Sequence, residues 1–254
     1  MLMMWVQFLL GTPFFLKSVT IMTILIIIND IHGNITALSK ILEDIKEIKY
    51  NQIIFTGDLI GVGAHSNEVI DVIKTIQNKI VVKGNHEEYL IGGFHNKNAG
   101  LEKEHHDWIK QHISTENQEY IKTFKDFVDL KIEDLNLHIC HYMKCFGKMF
   151  PIVFENNYEK IISICKDINA DLIIFGHNHF PQIFKKEPAI INVGSSGCTN
   201  IHPGYTRYGI LSIDKNQYNL EVKELKYDIT YERESLDKLN IPDRDMIKKV
   251  FFTI

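Results

Sequence analysis

Asp, Asn and His residues recur along this chain at spacings that suit metal binding. An Asp30-x-His32 pair opens the series, and a His177-x-His179 pair closes it. In extended backbone, residues two positions apart point their side chains the same way, so either pair can deliver two donors to one ion. Carboxylate oxygens together with imidazole nitrogens suit borderline divalent ions such as Mn²⁺, Fe²⁺ or Zn²⁺. The residue types and their spacing therefore predict a site for divalent metal ions.

A short apolar run precedes each of these polar clusters. The segments that join a run to its cluster are 24–34, 52–58, 79–86, 135–141 and 171–179. Near-continuous runs of Ile, Val, Leu and Phe predict strands that are buried on both faces. Apolar residues three and four apart between the runs predict helices, and the alternation favours a mainly parallel sheet. Because ligands of such sheets bind beyond the carboxyl ends of the strands, we expect the polar clusters to meet there.

The remaining segments predict a helical insertion and a C-terminal part that is rich in strands. Residues 95–134 contain a helical pattern near Glu119 to Leu130, and we expect a small helical insertion or cap. After Pro188, alternating apolar and polar residues predict hairpins of a second sheet. Residues 243–252 predict a short closing helix.

The first 21 residues differ in character from the rest. Residues 1–16 are apolar, lack an early Lys or Arg and are interrupted by Gly11-Thr12-Pro13, which makes a poor signal peptide. They are also shorter than the ~20 residues that a spanning helix needs, although residues 1–28 together could mimic one. We interpret residues 1–21 as an N-terminal extension and residues 22–254 as a single functional domain. We expect a cytoplasmic protein with no membrane partner, and anchoring by residues 1–28 is the alternative.

Charge and cysteine usage limit the partners. The 254 residues carry a formal net charge of −4, so no broad basic field is available to bind long nucleic acid, whereas a small phosphate ester remains suitable. Arginine occurs only at three positions, so metal ions must carry most of the charge stabilisation. Four cysteines without a C-x-x-C pair predict reduced, buried thiols. They are Cys140, Cys145, Cys165 and Cys198.

Other histidines lie in polar or loop-like segments, which predicts solvated side chains without a catalytic role. These are His65, His95, His105, His106 and His112. His202 and Arg207 follow a Gly-Ser-Ser-Gly loop and could reach a substrate phosphate, but we expect them to be surface loop residues.

The motifs on these strand ends resemble those of the calcineurin-like metallophosphoesterase superfamily, from Met22 onward. They are DIHGN (30–34), GDLIGVG (57–63), GNHE (84–87), His141 and GHNH (176–179). INVGSSG (191–197) followed by RYGILSID (207–214) is similar to the C-terminal signature of a small prokaryotic branch of cytosolic phosphodiesterases. The resemblance implies an α/β layered sandwich of two mixed β-sheets flanked by helices. It also implies two divalent metal ions, with Mn²⁺ preferred and Fe, Zn, Ni or Co as alternatives.

The same resemblance implies a role for each candidate residue. One ion would be held by Asp30, His32 and His179, the other by Asn85, His141 and His177, with Asp58 as the bridge. His86 would be a non-ligand histidine that stabilises the transition state or protonates the leaving oxygen, a contribution typically worth ~10²–10⁴ in rate. The implied reaction is hydrolysis of a small phosphodiester, phosphomonoester or dinucleoside polyphosphate by a metal-bridging hydroxide.

Three residues next to the motifs depart from the family pattern. Asn29 stands where a serine is common, and Asn178 replaces a frequent threonine; both are expected to support the ligands rather than join them. Tyr142 follows His141 where a glycine is usual, which leaves His138 as a substitute ligand.

Two alternative functions follow from the same motifs. In protein Ser/Thr phosphatases the Gly-Asp motif continues to Asp-Arg-Gly, whereas here it reads Gly61-Val62-Gly63, which argues against a phosphoprotein substrate. The fold can also serve as a non-catalytic metal-binding scaffold, and the presence of His86 favours an enzyme.

Overall fold

The computed structural model describes residues 22–94, 100–142, 144–145, 148–149, 156–199 and 202–253; the proposed extension 1–21 and His95 lie outside these ranges. The first half of the fold contains β1 (Thr23–Ile28), α1 (Ile35–Ile45), β2 (Gln52–Phe55), α2 (Ser66–Thr75), β3 (Lys79–Val81), α3 (Asn85–Gly92), α4 (Leu101–His112), α5 (Thr115–Ile121), β4 (Phe127–Ile132) and β5 (Leu135–Cys140). The second half contains β6 (Lys144–Cys145), β7 (Lys148–Met149), α6 (Tyr158–Cys165), β8 (Leu172–Ile174), β9 (Gln182–Phe184), β10 (Ala189–Asn192), β11 (Tyr205–Asp214), β12 (Gln217–Lys226), α7 (Thr230–Lys238) and α8 (Arg244–Phe251).

Two mixed five-stranded sheets form the centre of the described fold. The first has the order β12-β11-β1-β2-β3, and the second has the order β4-β5-β8-β10-β9. In the first sheet, β1, β2 and β3 are parallel and β11 and β12 are antiparallel additions. In the second, β5, β8 and β10 are parallel, with β4 and β9 antiparallel at the edges. Each sheet therefore contributes parallel strand ends that can carry ligands.

β1 and β2 of the first sheet are buried on both faces, as their apolar runs predict. Leu25 and Ile27 of β1 pack against Leu137 and Ile174 of the second sheet. The alternate residues of β1 belong to the cluster that covers α1, α2, α4 and α5. Because side chains alternate across a strand, a run of consecutive apolar residues can supply both interfaces.

Helices cover the outer faces of the two sheets. Residues Leu38 and Ile41 of α1 pack on the first sheet, and Ile161 and Cys165 of α6 pack on the second. The predicted α/β sandwich of two mixed sheets flanked by helices is confirmed. Of the four cysteines, Cys140, Cys165 and Cys198 are buried free thiols, as predicted.

The predicted insertion is only partly helical. Within its described residues, α4 and α5 form as expected, but the predicted helix near Glu119 to Leu130 is wrong, because α5 ends at Ile121 and β4 follows. β4 pairs with β5 in antiparallel register, with Leu130 opposite Leu137. The exposed and half-buried residues of β4 alternate strictly, so the period of two prevails over helical propensity.

The C-terminal strands also differ from expectation. β11 and β12 form a hairpin, but they extend the first sheet rather than build the second, since Ile26 of β1 lies opposite Ile210 of β11. The turn residues Lys215 and Asn216 both have positive φ, the conformation that two-residue hairpin turns favour. α8 confirms the predicted closing helix, whereas sequence reasoning missed α7. In the part of the chain that the structure describes, each helix is too short or too polar to cross a bilayer.

Candidate metal centre

The predicted ligands follow the ends of parallel strands and meet at one place. Two follow β1, one follows β2, one begins α3 just after β3, one follows β5 and two follow β8. In that order they are Asp30, His32, Asp58, Asn85, His141, His177 and His179. The carboxyl ends of strands from both sheets therefore converge on a single site, as the strand-end pattern predicts.

One group of candidate ligands contains residues of the first and last motifs. Nε2 of His32 lies 3.0 Å from Nε2 of His179, although the two residues are 147 positions apart. The potential ligand atoms of Asp30, His32 and His179 all lie within 4.8 Å of one another. This spacing allows all three to bind the same ion.

A second group surrounds His141. Its Nε2 lies 3.2 Å from Oδ2 of Asp58 and 3.1 Å from Oδ1 of Asn85. Oδ1 of Asn85 lies 2.9 Å from Nδ1 of His177. Oδ2 of Asp58 is also 3.7 Å from Nε2 of His32, a member of the first group. Asp58 therefore stands between the two groups.

The hydrogen bonds of these residues leave acceptor atoms that a cation would satisfy. Nδ1 of His141 lies 2.7 Å from the carbonyl oxygen of Thr56, to which it donates its N–H. Nε2 of the same ring then faces the oxygens of Asp58 and Asn85, which are acceptors themselves. Oδ2 of Asp30 is buried without a hydrogen-bond partner in the described structure. Ring orientation through the second nitrogen is the usual arrangement of metal-binding histidines, so these residues fit a divalent cation.

The electrostatics of the site favour positive charge beside Asp58. Burial would raise the pKa of Asp58, but the charge of the neighbouring His141 holds it well below its ordinary value. Burial opposes protonation of His141, yet the charge of Asp58 outweighs it and raises the pKa of His141 to about 9. Burial lowers the pKa of His177 to about 3 and that of His179 to about 4. At neutral pH the latter two rings keep free lone pairs for a metal ion.

Four of the seven candidate ligands have backbone in the left-handed region. The φ angles are 48° for Asp30, 51° for His32, 50° for Asp58 and 68° for His177. Such angles are uncommon outside glycine and cluster at functional sites. The turns that carry these residues are therefore strained. Asp30 and His32 converge through such a turn and not through the extended backbone that their spacing suggests.

The glycines that precede the ligands are required by close contacts. A Cβ on Gly84 would lie 2.2 Å from Oδ1 of Asp58, and one on Gly176 would lie 2.7 Å from Oγ1 of Thr56. Gly57 also has φ of 93°. The expectation of close approach or positive φ is therefore confirmed for all three.

The Gly-Ser-Ser-Gly loop after β10 fixes the first motif. Oγ of Ser195 donates to the carbonyl of Asp30 at 2.7 Å, and the backbone N–H of Gly197 donates to the same carbonyl at 3.1 Å. Asn29 donates from Nδ2 to Oδ1 of Asn192 at 3.0 Å, and Asn192 in turn donates to the carbonyl of Gly176. Asn29 therefore helps to hold the loop that carries the candidate ligands His177 and His179.

His86 lies among the candidate ligands. Its ring centre is 4.7 Å from that of His32, and its backbone N–H donates to Oδ1 of Asp58 at 2.9 Å. Its ring nitrogen also falls within 4.8 Å of potential ligand atoms of His32 and Asp58. Burial lowers its pKa, so the ring is neutral at neutral pH. The histidine assigned a catalytic role therefore faces the site.

Two histidines that the sequence places in solvent are buried beside the site. Nε2 of His105 accepts the backbone N–H of Val62 at 2.9 Å, and Nδ1 lies 3.2 Å from the carbonyl of Pro242, so this ring is neutral with its proton on Nδ1. The ring of His106 lies 5.0 Å from that of His86. The helical spacing of His105 and Ile109 places both on the inner face of α4, a signal that could have revealed the burial.

The structure also tests the predictions for the remaining histidines and for Arg207. His65 is buried at the start of α2, so its predicted solvation is wrong. Arg207 is a buried residue of β11 that pairs with Glu224, so its predicted place in a surface loop is also wrong. His112 and His202 are exposed, as expected. His138 bonds Asp129 through its ring at 2.7 Å, and it is His141 that enters the site.

Comparison with known proteins identifies similar proteins that match most of this chain. The chain is 24% identical over 237 residues to an uncharacterised protein of Methanocaldococcus jannaschii, a match that covers 85% of this chain and 93% of that protein. Its fold is similar to that of a metallophosphoesterase from Sphaerobacter thermophilus, with a TM-score of 0.69 at 17% identity over 90% of this chain and 98% of the other. It is similar also to a hypothetical protein of Pyrococcus horikoshii, with a TM-score of 0.68 at 18% identity over 91% and 98%.

The fold and the site define a metal-dependent phosphoric ester hydrolase that uses divalent metal ions. The model of the calcineurin-like phosphoesterase superfamily domain matches residues 22–216, which is more than half of the sequence. The chain belongs to that superfamily.

Proposed function

We propose that this protein hydrolyses a small phosphate ester at a centre of two divalent metal ions, with Mn²⁺ as the native metal. The substrate is a small phosphodiester, a phosphomonoester or a dinucleoside polyphosphate. The observation that carries the proposal is the position of Asp58, whose Oδ2 faces a histidine of each group, at 3.2 Å from His141 and 3.7 Å from His32. A carboxylate between two sets of donors can bridge two ions.

In this proposal the residues would divide between the two ions as the resemblance implies. Asp30, His32 and His179 would hold one, while Asn85, His141 and His177 would hold the other. When bound, the pair of cations would activate a water molecule and neutralise charge on the phosphoryl oxygens. The chain's own part is to fix the donors in this geometry, which the buried hydrogen bonds of Asp30 and His141 accomplish.

His86 supports the reaction as a hydrogen-bond donor in this proposal. Nδ1 of His86 packs closely against Gly61, where a Cβ would lie only 2.1 Å from it. Because His86 lines the cavity, we assign Nε2 as the ring nitrogen that faces the substrate. A neutral imidazole keeps one N–H, which can donate to a phosphoryl oxygen or to the leaving oxygen. Its donation strengthens as negative charge develops there.

The test compares three substrates with one purified protein. Metal-loaded enzyme is assayed on bis(p-nitrophenyl) phosphate, a nucleoside 5′-monophosphate and a dinucleoside tetraphosphate, before and after chelation. We expect turnover of at least one ester, loss of turnover on chelation and recovery with Mn²⁺. Asp58→Asn should bind fewer than two ions and lose activity by two orders of magnitude or more, by analogy with the roughly 10²–10³-fold cost of removing one charge-stabilising group. Full metal-dependent turnover in Asp58→Asn would disprove the bridging role.

A further inference from the structure

The metal centre opens into a cavity of about 370 Å³ that reaches beyond the ligands. One wall comes from α4 and the other from the C-terminal helix α8 and the residue before it. These two walls present Glu102, His105, His106, Asp243, Met246 and Phe251 to the cavity. Ligand pockets usually span roughly 300–1,000 Å³, so this cavity suits one compact organic group.

The charge of these walls is negative rather than positive. Both Glu102 and Asp243 line the cavity, and burial together with the nearby carboxylate of Asp243 raises the pKa of Glu102. Burial lowers the pKa of His105 to about 4 and that of His106 to about 3, so both rings are neutral at neutral pH. Among the lining residues within the described ranges there is no Lys or Arg. A phosphate placed away from the metal ions would therefore meet carboxylates and neutral rings.

The same walls offer apolar contact. Met246 lines the cavity and is 53% exposed, which leaves its side chain free for a ligand. The ring of Phe251 lies 5.7 Å from that of His179, next to the proposed metal ion. Methionine and aromatic side chains make favourable contacts with flat rings.

We propose that the space between α4 and α8 binds the alcohol part of the substrate, and that Glu102 and Asp243 restrict it to esters with one phosphorus atom and an uncharged, ring-bearing alcohol. This inference rests on the proposed function and selects among its substrates. The carboxylates accept hydrogen bonds from hydroxyl or amino groups of the alcohol and repel a second phosphate. A cyclic or simple nucleoside monophosphate fits this description, whereas a dinucleoside tetraphosphate does not.

Charge variants test the exclusion of polyphosphates. The ratio of kcat/KM for adenosine 3′,5′-cyclic phosphate or adenosine 5′-monophosphate to that for diadenosine tetraphosphate is expected to exceed about ten, the effect of roughly 1.4 kcal/mol of discrimination. In the double variant Glu102→Lys, Asp243→Asn this ratio should fall about tenfold, since repulsion of the distal phosphates is replaced by attraction. The matched control is Glu104→Lys, Asp245→Asn, which makes the same charge changes on α4 and at the start of α8 but outside the cavity lining. A wild-type preference for the tetraphosphate, or equal ratios in the two double variants, would overturn the inference.

Binding of the free nucleoside tests the subsite without any reaction. Calorimetric titration with adenosine should show a several-fold weaker affinity in Met246→Ala than in wild type, through lost apolar contact. Val250→Ala is the control, because Val250 is an exposed residue of the same helix that does not line the cavity. Absence of adenosine binding, or equal affinities in the two variants, would contradict the subsite. Failure to hydrolyse any ester, with adenosine binding retained, would instead contradict the proposed function alone.

Discussion

The carboxylate of Glu87 holds the loop that presents Asp58. Its Oε2 accepts the backbone N–H of Asp58 at 2.9 Å and that of Gly84 at 2.7 Å, while Oε1 accepts the N–H of Leu59 at 2.8 Å and that of Ile60 at 3.3 Å. Glu87 is fully buried, and burial together with the charge of Asp58 raises its pKa above the ordinary value. One side chain thus satisfies four backbone donors beneath the proposed bridging ligand.

Replacing this carboxylate should weaken both the fold and the metal site. In Glu87→Gln the amide NH₂ would face backbone donors, and each donor left unsatisfied costs about 1–3 kcal/mol. We expect a lower free energy of unfolding in urea and weaker metal binding by titration. Glu43→Gln, an exposed residue of α1, is the control. Equal unfolding free energies and equal metal affinities in the two variants would show that Glu87 does not hold the loop of Asp58.

His86→Ala should separate catalysis from metal binding. With His86 acting as a donor and not as a ligand, kcat should fall by ~10²–10⁴, the usual range for such assistance. Metal content, measured by elemental analysis, should stay the same as in the exposed-residue control His112→Ala. Loss of metal in parallel with activity would reveal that His86 is a ligand, which its proximity to His32 and Asp58 also allows.

Metal binding should stabilise the fold, because the donors come from strand ends of both sheets. A ligand present at 100 times its Kd adds about 2.7 kcal/mol to the free energy of unfolding. Thermal denaturation with and without Mn²⁺ should therefore show a higher Tm with the metal. The increase should be smaller in Asp58→Asn. A Tm that does not change on metal addition, in protein shown to be active, would contradict structural coupling between site and fold.

His105 should make the protein less stable in mild acid. Burial lowers its pKa from 6.5 to about 4, so the unfolded chain takes up a proton at a higher pH than the folded protein does. The depressed folded pKa means that the effect is absent above pH 6.5 and grows as the pH falls towards 4, where it reaches about 3 kcal/mol. His105→Gln should flatten the decline of unfolding free energy over this window, and the exposed His112→Gln should not. Identical slopes in the two variants would rule out this contribution.

Local sequence patterns were sufficient to locate the strands that carry the site. Runs such as Leu25 to Ile28 are buried on both faces because consecutive apolar residues serve the two sides of a sheet. The Asp and His residues after them occupy strand ends as predicted. Such a pattern involves only a few consecutive residues, so it predicts a buried strand without knowledge of the strand's neighbours.

Sequence patterns did not predict the elements whose structure depends on contacts with distant parts of the chain. Residues 127–132 form an edge strand because β5 is available to pair with them, and the hairpin of β11 and β12 joins the first sheet because β1 has a free edge. Likewise, His105 is neutral and buried only because Val62 and Pro242 approach it from distant parts of the chain. Nothing within α4 itself specifies those partners.

By itself, the sequence determined the chemistry of this protein: which donors are present, on which strand ends they stand and which metals suit them. The tertiary structure alone decided that Asn85 lies 3.1 Å from His141, that Asp58 stands between two groups of histidines and that Glu102 and Asp243 face one cavity. The physical reason is that these properties depend on different lengths of chain. Side-chain chemistry and strand periodicity are local properties, whereas distances between strand ends depend on how two sheets and their helices pack against each other.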